Sequence, residues 1–589
     1  MPSIREAGRG ASPVKASPLR ISDSPMNHPS PHDIPQNRVA WWREQELLFV
    51  LLIAIPAFCL RLNALPLFGE EPRRALIARE MVESGDWLVP GTQRVFLPSR
   101  PPLQNWLIAI AGLAIGSIDI WAARLPSILS TLAVAVMIYG YLRQQNRPLG
   151  SMAGALSFLT MLLVLEFGRS AETEAVFTVF VAASLLLWHW GWINRWPAVW
   201  MWSVGYGCAA LGMLTKGLQA PVYFIGATVL FLLLTGNWRA IITRAHGAGI
   251  LVFLAVFGAW QIPFTLHRGI ADSWAIYFGD VAGRFVDRRW STFLSHLVTY
   301  PCELLFVGLM PWSILLWAFS RRVVREQLGR RRETVMFLTI CILFSFVFVW
   351  LPPGSKVRYY MPLFPIFATL VGIAVDCLAE GLPERQPSKL WTLFVQFTSN
   401  VMIGAAIVVV VVSLAMPTLL ISLPLPGACG FAIGAVVLAM IIRRSLARST
   451  EGAMTRAICC IAGFLALVQI GLVITVQQRR CEDIDGQVQQ LKHQLPPDSH
   501  LVSLGPVHHA FAFFYRQPIP IVPWPVTKLP DGVDYFCLHT YEADPPELPF
   551  EWTLLTVVSC DRFKGLPVPK DRVFIGKRVA AGEAEAGGK

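Results

Sequence analysis

Charge is what this sequence is short of. Only 15% of its 589 residues are Asp, Glu, Lys or Arg, while 54% are hydrophobic. Soluble domains carry about 25% charged residues, so this balance excludes an ordinary soluble protein and points to a membrane. Eleven cysteines show no Cys-x-x-Cys pair and no metal-ligand spacing, and seven of them fall in or beside apolar runs as small core residues. Cys537 and Cys560, in the polar C-terminal region, could form a bridge. There is no Gly-rich phosphate-binding loop and no internal repeat of the kind that builds transporter halves. The net charge of +12 is scattered between apolar runs with no basic face, so nucleic acid is not an expected partner. Residues 1–39 are rich in Ser, Pro and Arg and lack an apolar core. They read as part of a disordered cytoplasmic tail (1–45), with the first span acting as an uncleaved signal anchor.

Long apolar runs are abundant. Crossing about 30 Å of hydrocarbon takes roughly 17–25 apolar residues. Runs of that kind lie near 46–63, 124–142, 149–166, 174–193, 198–215, 219–236, 247–265, 299–318, 335–352, 359–377, 393–416, 427–442 and 457–476. The segment 106–116 is apolar but short, which suits an interfacial or re-entrant helix. Leaving it uncounted gives inner connections holding 23 Lys plus Arg and short outer ones holding four. That asymmetry predicts a cytoplasmic N-terminus, with RRVVREQLGRRR on the inside. The expected architecture is an all-α polytopic membrane protein of about 13 transmembrane helices over 46–477, with long outer loops at 64–123 and 266–298. A small extracytoplasmic α/β domain follows over 478–589. Its signals are the helix-like IDGQVQQLKHQL and the strand-like HLVSLG, IPIV, VDYFCLH and WTLLTVVS.

On this topology the unusual charges gather at outer boundaries. LPLFGEEPRRALIAREM carries Glu70, Glu71, Arg73, Arg74 and Arg79, with Arg94 and Arg100 further along the same loop. GRSAETEA adds Arg169, Glu172 and Glu174. Lys216 lies in LTKGLQAP, Arg284 in GDVAGRFVDRRW, and Lys356, Arg358 and Tyr359 in PPGSKVRYYMP. Pro72 suits the first turn of a helix over about 72–83, which brings Arg73 and Arg74 back to Glu70. A carboxylate at a water–lipid boundary can take or orient a proton, and Arg and Lys around it can hold a departing phosphate. That combination suits transfer from a lipid-linked phosphate. Taken singly, each charge is also what any solvated span border carries, and Tyr359 fits an aromatic belt.

Five pieces in one order carry a family resemblance: EEPRRA, IAREM, SGDW, FLPSRPPLQNW and AARLPS, followed by AETE, TKG, GRF with GLMPW, and SKVRYYMPLFP. Over residues of about 45–370 the chain resembles the GT-C glycosyltransferases that use polyprenyl-phosphate sugars. It is most similar to the aminoarabinose transferases of lipid A, with the protein O-mannosyltransferases more distant. The resemblance implies a GT-C-like fold. It puts Glu70 at the catalytic loop aspartate, Glu71 as its acidic neighbour and Glu174 at the second-loop aspartate. Arg73, Arg100, Arg284 and Tyr359 match the lipid-phosphate site, and Lys216, Lys356 and Arg358 lie beside it. Ser99 stands where the family has an acidic residue, so a metal ligand is missing there. His296 lies in the loop of the family's histidine. No metal or other cofactor is expected, although a divalent metal remains open.

The expected partners are a polyprenyl-phosphate sugar donor, a glycolipid or protein acceptor and the lipid bilayer. The expected activity is glycosyl transfer on the outer face of the inner (plasma) membrane. The alternatives are a transporter or flippase of a lipid-linked substrate, or a catalytically inactive envelope scaffold.

Overall fold

The computed structural model describes residues 41–579 apart from 94, 97–99, 284–289, 381–387, 417–421, 447, 449, 498, 527–528, 543, 545–546 and 565–569. Residues 1–40 of the tail and the positions Arg94, Ser99 and Arg284 lie outside the described residues, whereas Trp41–Arg43 form a short helical turn.

All thirteen expected apolar runs fall on helices. Among the described residues, ten helices are long and apolar enough to cross a membrane. The run 299–318 is a bent pair, Trp290–Gly308 and Ser313–Ser320, at 109° to each other. The remaining two are the shorter Pro148–Leu159 and Gln219–Leu234. At 1.5 Å per residue these two reach about 18 and 24 Å, less than the hydrocarbon thickness. The first ends at Thr160, and the chain restarts as Leu162–Phe167. Val357–Ala379 sits at the bundle centre, with 94% of its apolar window buried, whereas Arg244–Arg268 lies at the rim with 17%. Pro148–Leu159 approaches the central helix through Gly150, Gly154 and Gly372. A Cβ on Gly372 would stand 2.5 Å from the Gly150 carbonyl oxygen, so only glycine allows this separation.

Charged side chains define the two ends of the bundle. At one end Arg143 grips Glu44 at 2.7 Å, and Asp376 takes Arg147 at 3.1 Å and Arg331 at 3.0 Å. Arg147 also pairs with Glu451. These groups come from connections that the sequence assigned to one side. The groups assigned to the other side meet at the opposite end, so 106–116 does not invert the chain.

Three helices lead into that end: α1 (Gln45–Cys59), α2 (Glu71–Ser84) and α3 (Leu103–Ile115). Between α2 and α3 lies a short antiparallel hairpin, β1 (Gly91–Thr92) with β2 (Val95–Phe96). The indole N–H of Trp106 in α3 donates to the Trp87 carbonyl at 2.8 Å, tying α3 to the loop.

The C-terminal region is the expected small α/β domain. Its strands are β3 (Leu501–Leu504), β4 (Ile521–Val522), β5 (Tyr535–Thr540), β6 (Trp552–Ser559) and β7 (Arg572–Arg578), in the order β4-β3-β5-β7-β6. β3 runs parallel to β4 and β5, and β7 runs antiparallel to both its neighbours. The helix Ile484–Gln494 coincides with IDGQVQQLKHQL. RVFIGKR, the β7 strand, adds to the strands expected from the sequence. The suggested Cys537–Cys560 bridge does not form, because both are buried thiols. Cys537 lies on β5 and Cys560 follows β6, and β7 separates those two strands. Two strand spacings, roughly 10 Å, exceed what a disulfide spans.

The domain does not stand apart from the outer loop. Leu67, Ala75, Leu76 and Ala78 share one buried cluster with Val488, Leu491, Phe511 and Phe514. Arg79 donates to the Phe513 carbonyl at 3.0 Å and lies 4.5 Å over its ring. The helix His509–Tyr515 thus packs on α2.

Candidate active site

The turn into α2 is shaped by Gly69, which is left-handed at φ +64°. That conformation is strained for other residues, and a Cβ there would lie in ordinary contact with Glu172 Oε1 of the neighbouring loop, at 3.4 Å. Glu70 opens the helix and Pro72 occupies its first turn. The Glu70 side chain is 44% exposed and receives Arg73 at 3.0 Å and Arg74 at 3.6 Å. These are the i+3 and i+4 contacts expected from the sequence. Arg74 is buried, which lowers its guanidinium to about 10 against the pull of Glu70.

Glu71 points the other way and is fully buried. Its carboxylate takes Arg124 in a two-pronged grip at 2.9 and 2.8 Å, plus the backbone N–H groups of Ala171 at 2.7 Å and Phe68 at 3.2 Å. Arg124 also donates to the Leu62 carbonyl at 2.7 Å and the Pro66 carbonyl at 3.0 Å. Glu71, the acidic neighbour, thus has a different setting from Glu70. With both oxygens occupied and no exposure, it locks the loop to the span that begins at Ile120.

A second group faces Glu70 from the bundle. Glu174, in the first turn of Thr173–Ile193, accepts from Lys216 Nζ at 2.9 Å and has Arg358 Nε at 3.7 Å. Arg358 pairs with Glu172 at 2.5 Å, which returns the network to Gly69. The Tyr359 ring lies between the two cations, 4.9 Å from Lys216 Nζ and 5.8 Å from the Arg358 guanidinium. Arg100 is within electrostatic reach of Arg74, Glu174 and Lys216. Burial, then the neighbouring Glu174, push the Glu172 carboxyl above its usual range, opposed by Arg358. Arg169 closes the far side by donating to the Leu60 carbonyl at 2.8 Å, and burial lowers it to about 10.

The expected residues Glu70, Arg73, Arg100, Glu174, Lys216, Arg358 and Tyr359 therefore converge at one mouth. Lys356 is exposed at the start of the short helix Val357–Leu363. His296 packs on Tyr300 with ring centres 5.1 Å apart.

Several further residues stand at this mouth whose place local sequence pattern does not reveal. Glu172 joins the cationic group. Arg124 anchors Glu71, and its signal was present in AARLPS. Gln104 and Asn105, inside FLPSRPPLQNW, are fully buried with amide groups that find no hydrogen-bond partner among the described residues. They offer donors and acceptors at the start of α3. His509 comes from the C-terminal domain. Burial, then Arg73, lower its imidazole to about 4, and Glu70 is also within electrostatic reach. Such a histidine is neutral at physiological pH. The arrangement is a half-exposed carboxylate beside a mouth of several cations, built to hold an anion next to a proton acceptor.

Known proteins resemble this chain in sequence and in fold. Residues 99–262 match the family model described as dolichyl-phosphate-mannose-protein mannosyltransferase. An undecaprenyl phosphate-α-4-amino-4-deoxy-L-arabinose arabinosyl transferase of Pseudomonas aeruginosa is 29% identical over 318 residues, covering 52% of this chain and 55% of the relative. The enzyme of that name from Photorhabdus laumondii is 24% identical over 385 residues, covering 63% and 65%. The chain thus spans about half the length of the first of these curated relatives. In fold it matches the crystal structure of ArnT from Cupriavidus metallidurans bound to undecaprenyl phosphate. The TM-score is 0.65 at 18% identity, over 91% of this chain and 98% of that one. In sequence this polytopic protein resembles the aminoarabinose transferase and protein O-mannosyltransferase families, and its fold is that of ArnT.

Proposed function

We propose that this chain is a membrane glycosyltransferase that moves a sugar from a polyprenyl-phosphate donor to a glycolipid of the lipid A kind or to a protein. One observation carries the reading: Glu70 is held half-exposed by Arg73 and Arg74 at a mouth that also receives Arg100, Lys216 and Arg358. The acceptor hydroxyl oxygen bonds to the anomeric carbon while the bond from that carbon to the phosphate oxygen breaks. The electron pair leaves with the phosphate, which the cations hold, and the acceptor proton passes to Glu70. Attack from the face opposite the phosphate inverts the anomeric centre. Glu174, fixed by Lys216, helps to place the acceptor, and Glu71 positions the loop. The polyprenyl tail stays in the bilayer, which explains why the site lies at a span boundary.

The reading extends to location. The excess of Lys and Arg at the end that carries Arg143, Arg147 and Arg331 supports a cytoplasmic placement of that end and of the N-terminus in the inner membrane. The mouth and the C-terminal domain then face outward, away from nucleotide sugars, which accords with a lipid-linked donor. No cofactor is required by this scheme.

The test is transfer of a labelled sugar from its polyprenyl phosphate in membranes containing Glu70→Gln. A loss of at least about 100-fold is expected for removal of a general base. Undiminished transfer would remove Glu70 from the reaction, and no transfer by the wild-type protein would overturn the reading and favour a scaffold or a flippase.

A further inference from the structure

The C-terminal domain brings together three ligand-type side chains that the reaction scheme does not use. His508 immediately precedes the helix His509–Tyr515, His539 lies on β5, and Asp571 immediately precedes β7. β5 and β7 are paired neighbours, with His539 opposite Val573 and Thr540 opposite Arg572. The sheet register therefore brings His539 and Asp571 to one edge, and the start of the helix delivers His508 onto them.

The Asp571 carboxylate oxygen is 3.4 Å from His539 Nε2 and 4.0 Å from His508 Nε2. Hydrogen bonds of this type close to about 2.7–3.2 Å, so neither contact is one. The two rings are tilted at 59° to each other with centres 5.1 Å apart. His508 Nδ1 and His539 Nε2 are both buried and find no hydrogen-bond partner among the described residues. Buried imidazole nitrogens without partners are uncommon in a folded protein and call for a ligand. One potential ligand atom from each residue lies within 4.8 Å of the others. Tetrahedral zinc with bonds of about 2.0–2.1 Å holds its ligand atoms about 3.3 Å apart, so rotamer adjustments of roughly an ångström complete the shell.

We infer that His508, His539 and Asp571 form a binding site for a divalent transition metal of the Zn²⁺ class. Two imidazoles and one carboxylate suit such an ion better than Ca²⁺ or Mg²⁺, which prefer all-oxygen shells. All three residues are only partly buried, which leaves room for water as a fourth ligand. The ion ties β5, β7 and the helix His509–Tyr515 to one point. That helix packs on α2, and its first residue, His509, is within electrostatic reach of Arg73 and Glu70. The metal thus fixes the element that covers the candidate active site, whatever the substrate there.

The test uses tag-free, full-length protein in detergent micelles. The protein is treated with a chelator, returned to ZnCl₂, desalted and measured by elemental mass spectrometry and thermal unfolding. Wild type is expected to retain about one zinc per chain and to melt several degrees higher with zinc than without. His539→Ala and the isosteric Asp571→Asn are expected to lose both effects, while the exposed His500→Ala keeps them. Retention should fall as acid protonates the imidazoles. If His539→Ala does not fold, Asp571→Asn alone decides. A zinc-free wild type, or zinc content unchanged in Asp571→Asn, overturns the inference.

Discussion

Lys216 Nζ sits 2.9 Å from Glu174 Oε1, with both side chains at least 96% buried, although they end one span and begin another. A buried pair of this kind penalises the loss of one partner more than the loss of both. Lys216→Met or Glu174→Leu alone should cost about 3–5 kcal/mol, because the survivor is left charged in a dry setting. The double variant should recover much of that loss. Thermal unfolding of the three variants in micelles measures it, and additive losses would contradict the pairing.

Adjacent glutamates should behave oppositely. Glu70→Gln is predicted to abolish transfer while leaving the melting temperature within a few degrees, since the side chain is half-exposed. Glu71→Gln removes the charge that Arg124 grips, and should cost about 3–5 kcal/mol. Limited proteolysis of the 64–123 loop alongside the transfer assay separates the two effects.

Arg100 is assigned to the donor phosphate. Arg100→Ala should raise the donor KM about tenfold or more, in keeping with a charge-assisted hydrogen bond of about 1.5–3 kcal/mol. Binding of a polyprenyl phosphate without sugar should weaken in parallel. Unchanged donor affinity would remove Arg100 from the phosphate site.

Gly372→Ala tests the helix crossing. The new methyl would meet the Gly150 carbonyl oxygen at 2.5 Å and must push the two helices apart. A loss of about 1–3 kcal/mol is expected, as for other overpacked cores, while Gly404→Ala, whose added Cβ meets open space, should be neutral. Equal stability of both variants would count against the close approach.

Much of this molecule could be read from local pattern. Apolar runs announce spans because the bilayer imposes a length, and the Glu70 contacts follow from helical spacing. The break at Thr160 was not legible, since 149–166 is apolar throughout. Nor was the structural role of Glu71: its partner Arg124 is 53 residues away, and nothing local distinguishes it from Glu70. His508, His539 and Asp571 belong to no motif, because a sheet register and not a spacing assembles them. The Cys537–Cys560 suggestion failed for the same reason, as the strand between them was not recognised.

The cluster joining Leu67, Ala75 and Leu76 to Val488, Phe511 and Phe514 bears on how the protein is made. α2 ends at Ser84, and the first helix of its packing partner starts at Ile484, 400 residues later (484 − 84). At about 5–20 residues per second, synthesis leaves α2 without its cover for roughly 20–80 seconds. Throughout that interval the segment bearing Glu70 would be open to proteases and to premature contact with lipid. A truncation between the last span and Ile484 would make that interval permanent.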